Sequence, residues 1–161
     1  MFVYSVKANT LKLIGCILAA AIILTALVIF IPNDEAIAVS AGDGKVVYTN
    51  AKDNDGRINF LSQFGYSVKP TPIDEVTVTL PSEFDTVFAG YNELQKLQGL
   101  DLSRYKRKEV VRYTYEVTNY EGYEGKVLAN LLIYRGRVIG GDICTESAEG
   151  FIHEFLKTTH L

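Results

Sequence analysis

Polar and apolar positions alternate most regularly from Val110 to Val117. There Val111, Tyr113, Tyr115 and Val117 take one side, and Arg112, Thr114 and Glu116 take the other. A period of two marks a strand with one face buried. After the loop Thr118–Gly125, the run Val127–Tyr134 carries apolar residues on both sides: Val127, Ala129, Leu131 and Ile133, but also Leu128, Leu132 and Tyr134. That is the make-up of a central strand. Arg135 and Gly136 then separate it from Arg137-Val138-Ile139, a two-residue hairpin spacing with a glycine able to take positive φ. The three runs predict an antiparallel meander.

Upstream of the meander the period changes. Ile58, Phe60, Leu61 and Phe64 make the stripe of a short helix, with Gly65 placed to end it in a left-handed cap. Asp53-Asn54-Asp55-Gly56 resembles part of a calcium loop, but Ala51 and Ser62 would hold its two end-ligand positions. The stretch reads instead as a helix start, where Asp and Asn accept from unpaired backbone N–H groups. Val76, Val78 and Leu80 alternate with Thr77 and Thr79, a strand with one wet face. Phe84, Val87, Phe88, Tyr91 and Leu94 predict a second helix, capped by Ser82 with Asp85 three residues on, and closed by Gly99. The expected fold is α+β in the order α-β-α-β-β-β. Both helices should pack on one face of a four-stranded, mainly antiparallel sheet, because each has a single apolar stripe to bury.

The amino-terminal stretch belongs to another solvent. Leu13 to Ile31 holds nineteen residues without a charge, a helix of roughly 28 Å and about the hydrocarbon thickness of a bilayer. Lys7 and Lys12 precede it and Asp34 and Glu35 follow it. The positive-inside bias therefore puts the amino terminus in the cytoplasm and the rest outside. Ala36-Ile37-Ala38 would suit signal cleavage, but the apolar run is longer than a cleaved signal uses. Leu13-Ile14-Gly15-Cys16 spells a lipobox, yet it opens the apolar run instead of closing it. The expected organisation is a cytoplasmic tail at 1–12, a transmembrane helix at 13–31, a linker at 32–52 and an extracytoplasmic domain at 53–161. Lys45 to Tyr48 could add a short edge strand to that domain.

The stretches RINFLSQFGYSV, TLPSEFDTVFAGYNELQKLQGLDLSRYK, RYTYEVTNY and VLANLLIYRGRVIGGDICTESAEGF span Arg57 to Phe151. Together they resemble the bacterial membrane-anchored family known as domain of unknown function 4830. The resemblance implies an anchored extracytoplasmic domain and carries over no catalytic residue.

Charge and chemistry narrow the function. Setting aside Lys7 and Lys12, fourteen basic residues face nineteen acidic ones, the wrong sign for a binder of nucleic-acid backbones. Arg104, Lys106, Arg107 and Lys108 form a local basic run, either a solvated turn or a patch for an anionic partner. Tyr120 and Tyr123 sit in a glycine-containing loop, where tyrosine offers contact area at low rotamer cost; folding back on the sheet edge is the alternative. Cys144 with Asp142 and His153 is the one arrangement from which a thiol nucleophile could be built. No nucleophile turn or oxyanion pocket surrounds it. Gly140-Gly141-Asp142 lacks phosphate-loop spacing and reads as a bulge or close packing point. Two histidines and one exported cysteine make no metal site, and no cofactor is expected. The function expected is a non-enzymatic binding or sensing module of the cell envelope, with a protein or an anionic cell-wall polymer as partner. The alternatives are a small envelope enzyme using Cys144 and His153, or an accessory subunit of a membrane complex.

Overall fold

A computed structural model describes residues 40–41, 44–147 and 149–156. The expected cytoplasmic tail and transmembrane helix lie outside the described residues. Among the described residues no helix is long and apolar enough to cross a membrane.

Two short strands, β1 (Ser40–Ala41) and β2 (Gly44–Lys45), pair with each other. Then follow α1 (Asn54–Ser62), β3 (Asp74–Thr79), α2 (Thr86–Leu97), a 3-10 turn (Leu102–Tyr105), β4 (Glu109–Val117), β5 (Val127–Tyr134), β6 (Arg137–Thr145) and β7 (Ile152–His153). Strands β3 to β7 form one antiparallel sheet in chain order. The meander is therefore as expected, and β3 is joined to it by six register pairs from Asp74↔Thr114 to Thr79↔Glu109. Arg135 and Gly136 both take positive φ, 50° and 78°, the turn whose twist matches the flanking strands.

The sheet has five strands where four were expected. The extra strand, β7, is only two residues long and carries no periodicity to read. It is held by Ile143↔His153 and Cys144↔Ile152, and Phe155 just beyond it is fully buried.

A second correction concerns the layers: the two helices do not share a face. Phe60 and Leu61 of α1 pack with Tyr115, Ala129, Leu131 and Ile143, which the register places on one side of the sheet. Phe88 and Tyr91 of α2 pack with Leu132, Val110 and Ile139 on the other side. Both faces are thus covered, as the two-sided apolar content of β5 requires.

The helix ends obey local chemistry. Asp53 caps α1, its carboxylate accepting from Gly56 N–H at 2.7 Å, so the calcium-like stretch is a cap. Gly65 and Gly99, at φ 82° and 75°, follow the two helices in the left-handed region that glycine tolerates. The α2 cap is Asp85, not Ser82, and its carboxylate accepts from Phe88 N–H at 2.8 Å. With the helix starting later, Val87 points outward and is 82% exposed. What α2 buries instead is polar: Asn92, Gln95 and, at its C-cap, Gln98.

The stretch expected as linker, 32–52, enters the domain from Val46 onward. Val46, Tyr48 and Ala51 are all buried in the core. Val138 N–H donates to the Tyr48 carbonyl at 2.8 Å, and Ala51 N–H donates to the Gly136 carbonyl at 2.9 Å.

Candidate functional site

Between α2 and the sheet lies a cleft of about 350 Å³. Its walls are apolar, with Val78 and Leu80 from β3 and its end, Phe88 from α2 and Leu132 from β5. Its floor is polar. Thr114, Asn130 and Asp142 are register partners across β4, β5 and β6, so their side chains form one row under α2.

That row is bonded end to end. The Thr114 hydroxyl donates to Asn130 Oδ1 at 2.8 Å, and Asn130 Nδ2 donates to Asp142 Oδ2 at 2.9 Å. From above, the Tyr91 hydroxyl donates to Asp142 Oδ1 at 2.7 Å. Asp142 is 3% exposed, so its charge relies on these donors. Burial, with the Asp142 carboxylate next, holds the Tyr91 hydroxyl well above its ordinary pKa and keeps it a donor. Arg112 completes the lining. Its guanidinium meets Asp74 at 2.7 Å, while its Nε is buried and has no hydrogen-bond partner among the described residues.

The glycines of β6 shape the same layer. A Cβ on Gly140 would come within 2.9 Å of Leu102 and 3.2 Å of Gln95, and one on Gly141 would overlap the Asn130 carbonyl oxygen. The strand register slips beside them, between Leu132 and Ile133. Gly140-Gly141 is thus both a bulge neighbour and a close packing point. Gln95 Oε1 accepts from Gly141 N–H, and Gln98 Nε2 donates to the Gly141 carbonyl, both at 2.8 Å.

The thiol arrangement does not assemble. Cys144 pairs with Ile152, and His153 pairs with Ile143, so the two side chains leave opposite faces of the sheet. His153 Nε2 lies 2.9 Å from the Tyr120 hydroxyl instead. The Cys144 thiol is pushed up to about 11 by burial, with Asp142 adding to it. A nucleophilic cysteine needs the reverse shift. Asp142 and Cys144 do share a face, both bonded by Asn130 Nδ2.

The two expected contact elements lie at opposite ends of β4, a nine-residue strand and so about 30 Å long. Arg104, Lys106, Arg107 and Lys108 are all exposed, and among the described ion pairs none involves them. Lys106 Nζ sits 5.0 Å from the Phe84 ring centre, and the Phe84 ring lies 4.5 Å from that of Phe88 in the cleft wall, tilted by 52°. The basic turn therefore stands at the rim of the cleft. At the far end, Tyr120 stacks on Phe151 at 5.1 Å and Tyr123 meets the same ring edge-on at 5.6 Å. Both loop tyrosines have folded back on the sheet edge.

Tyr91, Arg112 and Asn130 escaped the sequence reading, and Asp142 entered it only as a companion of Cys144. Arg112 looked like an ordinary residue on a wet strand face, and Tyr91 like core. The available signal was Asn130, a polar residue inside the otherwise apolar run of β5.

The family described as Domain of unknown function (DUF4830) matches residues 60–143, just over half of the chain. This chain belongs to that family. Every residue named above as lining the cleft falls within the matched stretch. No curated protein and no solved structure matches the chain.

Proposed function

We propose that this chain is a membrane-tethered, extracytoplasmic binding or sensing module of the bacterial cell envelope, and that the cleft under α2 takes its ligand without catalysis. The observation that carries the reading is the contrast between finished and unfinished polar groups there. Asp142 and Asn130 are bonded within the protein, which fixes the floor. Arg112 keeps a buried N–H with nothing to donate to, a deficit of about 1–3 kcal/mol that a ligand oxygen would relieve. The thiol supports the same side, since it is pushed toward its neutral form and faces away from the histidine. The tether is the apolar run Leu13–Ile31. The basic turn Arg104–Lys108 at the rim suits an anionic partner, a protein or a wall polymer, by long-range attraction.

A photoreactive phenylalanine analogue at Phe88 in the full-length chain tests this in living cells. Irradiation should give a discrete adduct that disappears when Val78→Trp fills the cleft. Reversing Lys106, Arg107 and Lys108 to glutamate should weaken the adduct, most strongly at low salt. An adduct indifferent to Val78→Trp, or a cellular phenotype abolished by Cys144→Ser, would overturn the reading in favour of the enzyme.

A further inference from the structure

The cleft presents two opposite charges with an apolar wall between them, and we infer that its ligand is a small zwitterion, an α-amino acid with an apolar side chain. The inference rests on the cleft being the ligand site. Arg112 pairs with Leu132, which pairs with Gly140, and Thr114 pairs with Asn130, which pairs with Asp142. Arg112 and Asp142 thus lie on one face, two strands across and two residues along, with Cα atoms about 12 Å apart by ordinary sheet spacings. Both line the same cleft as Tyr91, whose hydroxyl Asp142 accepts at 2.7 Å.

Each charge has capacity left for a ligand. One end of the Arg112 guanidinium is held by Asp74 at 2.7 Å, which orients the plane and leaves Nε–H without an acceptor. A carboxylate accepting from Nε–H would complete it with a charge-assisted bond. Asp142 accepts from the Tyr91 hydroxyl and Asn130 Nδ2, with the Cys144 thiol beside them, and a carboxylate offers about four acceptor positions. These donors to Asp142 are neutral, and none of the described ion pairs includes it. An ammonium group supplies the missing cation. A purely anionic ligand would meet the Asp142 charge, and a purely cationic one would leave the Arg112 Nε–H without an acceptor, so each is disfavoured at one end. The apolar remainder would lie against Phe88, Leu132 and Val78. A cleft of about 350 Å³ is near the lower end of the usual range for small-molecule sites.

Isothermal titration of the full chain in detergent micelles decides the point with leucine in both enantiomers, 4-methylpentanoate, which lacks the ammonium, and isoamylamine, which lacks the carboxylate. One leucine enantiomer should bind at least about tenfold more tightly than either single-headed analogue, as one lost charge contact implies. Arg112→Gln should remove leucine binding and spare the amine. Asp142→Asn should remove leucine binding and spare the acid; should that variant fail to fold, the analogue series and Arg112→Gln still decide. An analogue that binds as tightly as leucine, or no binding by either enantiomer, overturns the inference. If leucine fails while Val78→Trp still abolishes the Phe88 adduct, the zwitterion is wrong and the binding cleft stands.

Discussion

The two faces of the central sheet are covered in different ways. Under α1, Phe60, Leu61, Tyr115, Ala129, Leu131, Ile143 and Phe155 are each no more than 1% exposed, and Phe60 meets the Phe64 and Phe155 rings edge-on at 5.2 Å. Under α2 the contact is part apolar, part amide and carboxylate, and it leaves a cleft. Close-packed apolar surface yields stability and has no room for a ligand. A face built from Asn92, Gln95, Gln98, Asn130 and Asp142 spends stability on specific hydrogen bonds and keeps an opening. The first face holds the sheet together; the second is where recognition can occur.

Neighbouring leucines give the sharpest test, because they point to opposite faces. Leu131→Ala opens a closed cavity on the packed face and should cost about 3–5 kcal/mol, the upper part of the range for such truncations. Leu132→Ala enlarges a space that is already open, so its cost should fall nearer 2 kcal/mol. Chemical denaturation of the two variants measures both. Equal losses would mean that the faces are packed alike.

The next effect is confined to the polar face. Gln98→Leu strands Phe155 N–H, which now donates to Gln98 Oε1 at 3.1 Å, and the Gly141 carbonyl, which accepts from Gln98 Nε2 at 2.8 Å. A buried group left unpaired costs about 1–3 kcal/mol, and amide exchange at Phe155 should accelerate with the loss. Unchanged exchange there would show that the glutamine bracket is not what holds β7.

Tyr91→Phe removes one neutral donor from a buried carboxylate, a change of about 1.5–3 kcal/mol. Its distinguishing sign is that a matching substitution on the other face, Tyr113→Phe, should cost less. The Tyr113 hydroxyl reaches Glu75 at 3.1 Å in an exposed position, where such bonds contribute little.

The smallest effect is chemical. With its thiol raised to about 11 by burial and Asp142, Cys144 in a Cys16→Ser chain should alkylate more slowly near pH 9 than the same thiol in denaturant. The folded pKa lies above the unfolded one, so the thiol's part of stability is complete below about pH 9. It is lost progressively between about 9 and 11, as the unfolded chain ionises first. Asp142→Asn should speed alkylation, because it removes the adjacent charge. Equal rates in native and denatured protein would contradict the burial of this site.

Much of the fold is written in the chain at short range. The alternation of Val110–Val117 and the Arg135-Gly136 turn define the meander, because strand period and turn φ depend on adjacent residues alone. Asp53, Gly65 and Gly99 mark helix ends for the same local reason. The site was far less legible. Asn130 stands out in β5, but its partners Tyr91, Thr114 and Asp142 are spread from position 91 to 142. Only sheet register makes them neighbours.

What the sequence determined by itself was the identity of the meander strands, the start of α1, the glycines that close both helices and the two-sided burial of β5, all consequences of backbone geometry acting over a few residues. What tertiary structure decided was which helix covers which face, that Val46 and Tyr48 join the core, and that a two-residue strand at Ile152 closes the sheet. It also placed Cys144 and His153 back to back. These outcomes depend on how distant segments cross and on parity along a strand, where a shift of one residue sends a side chain to the other face.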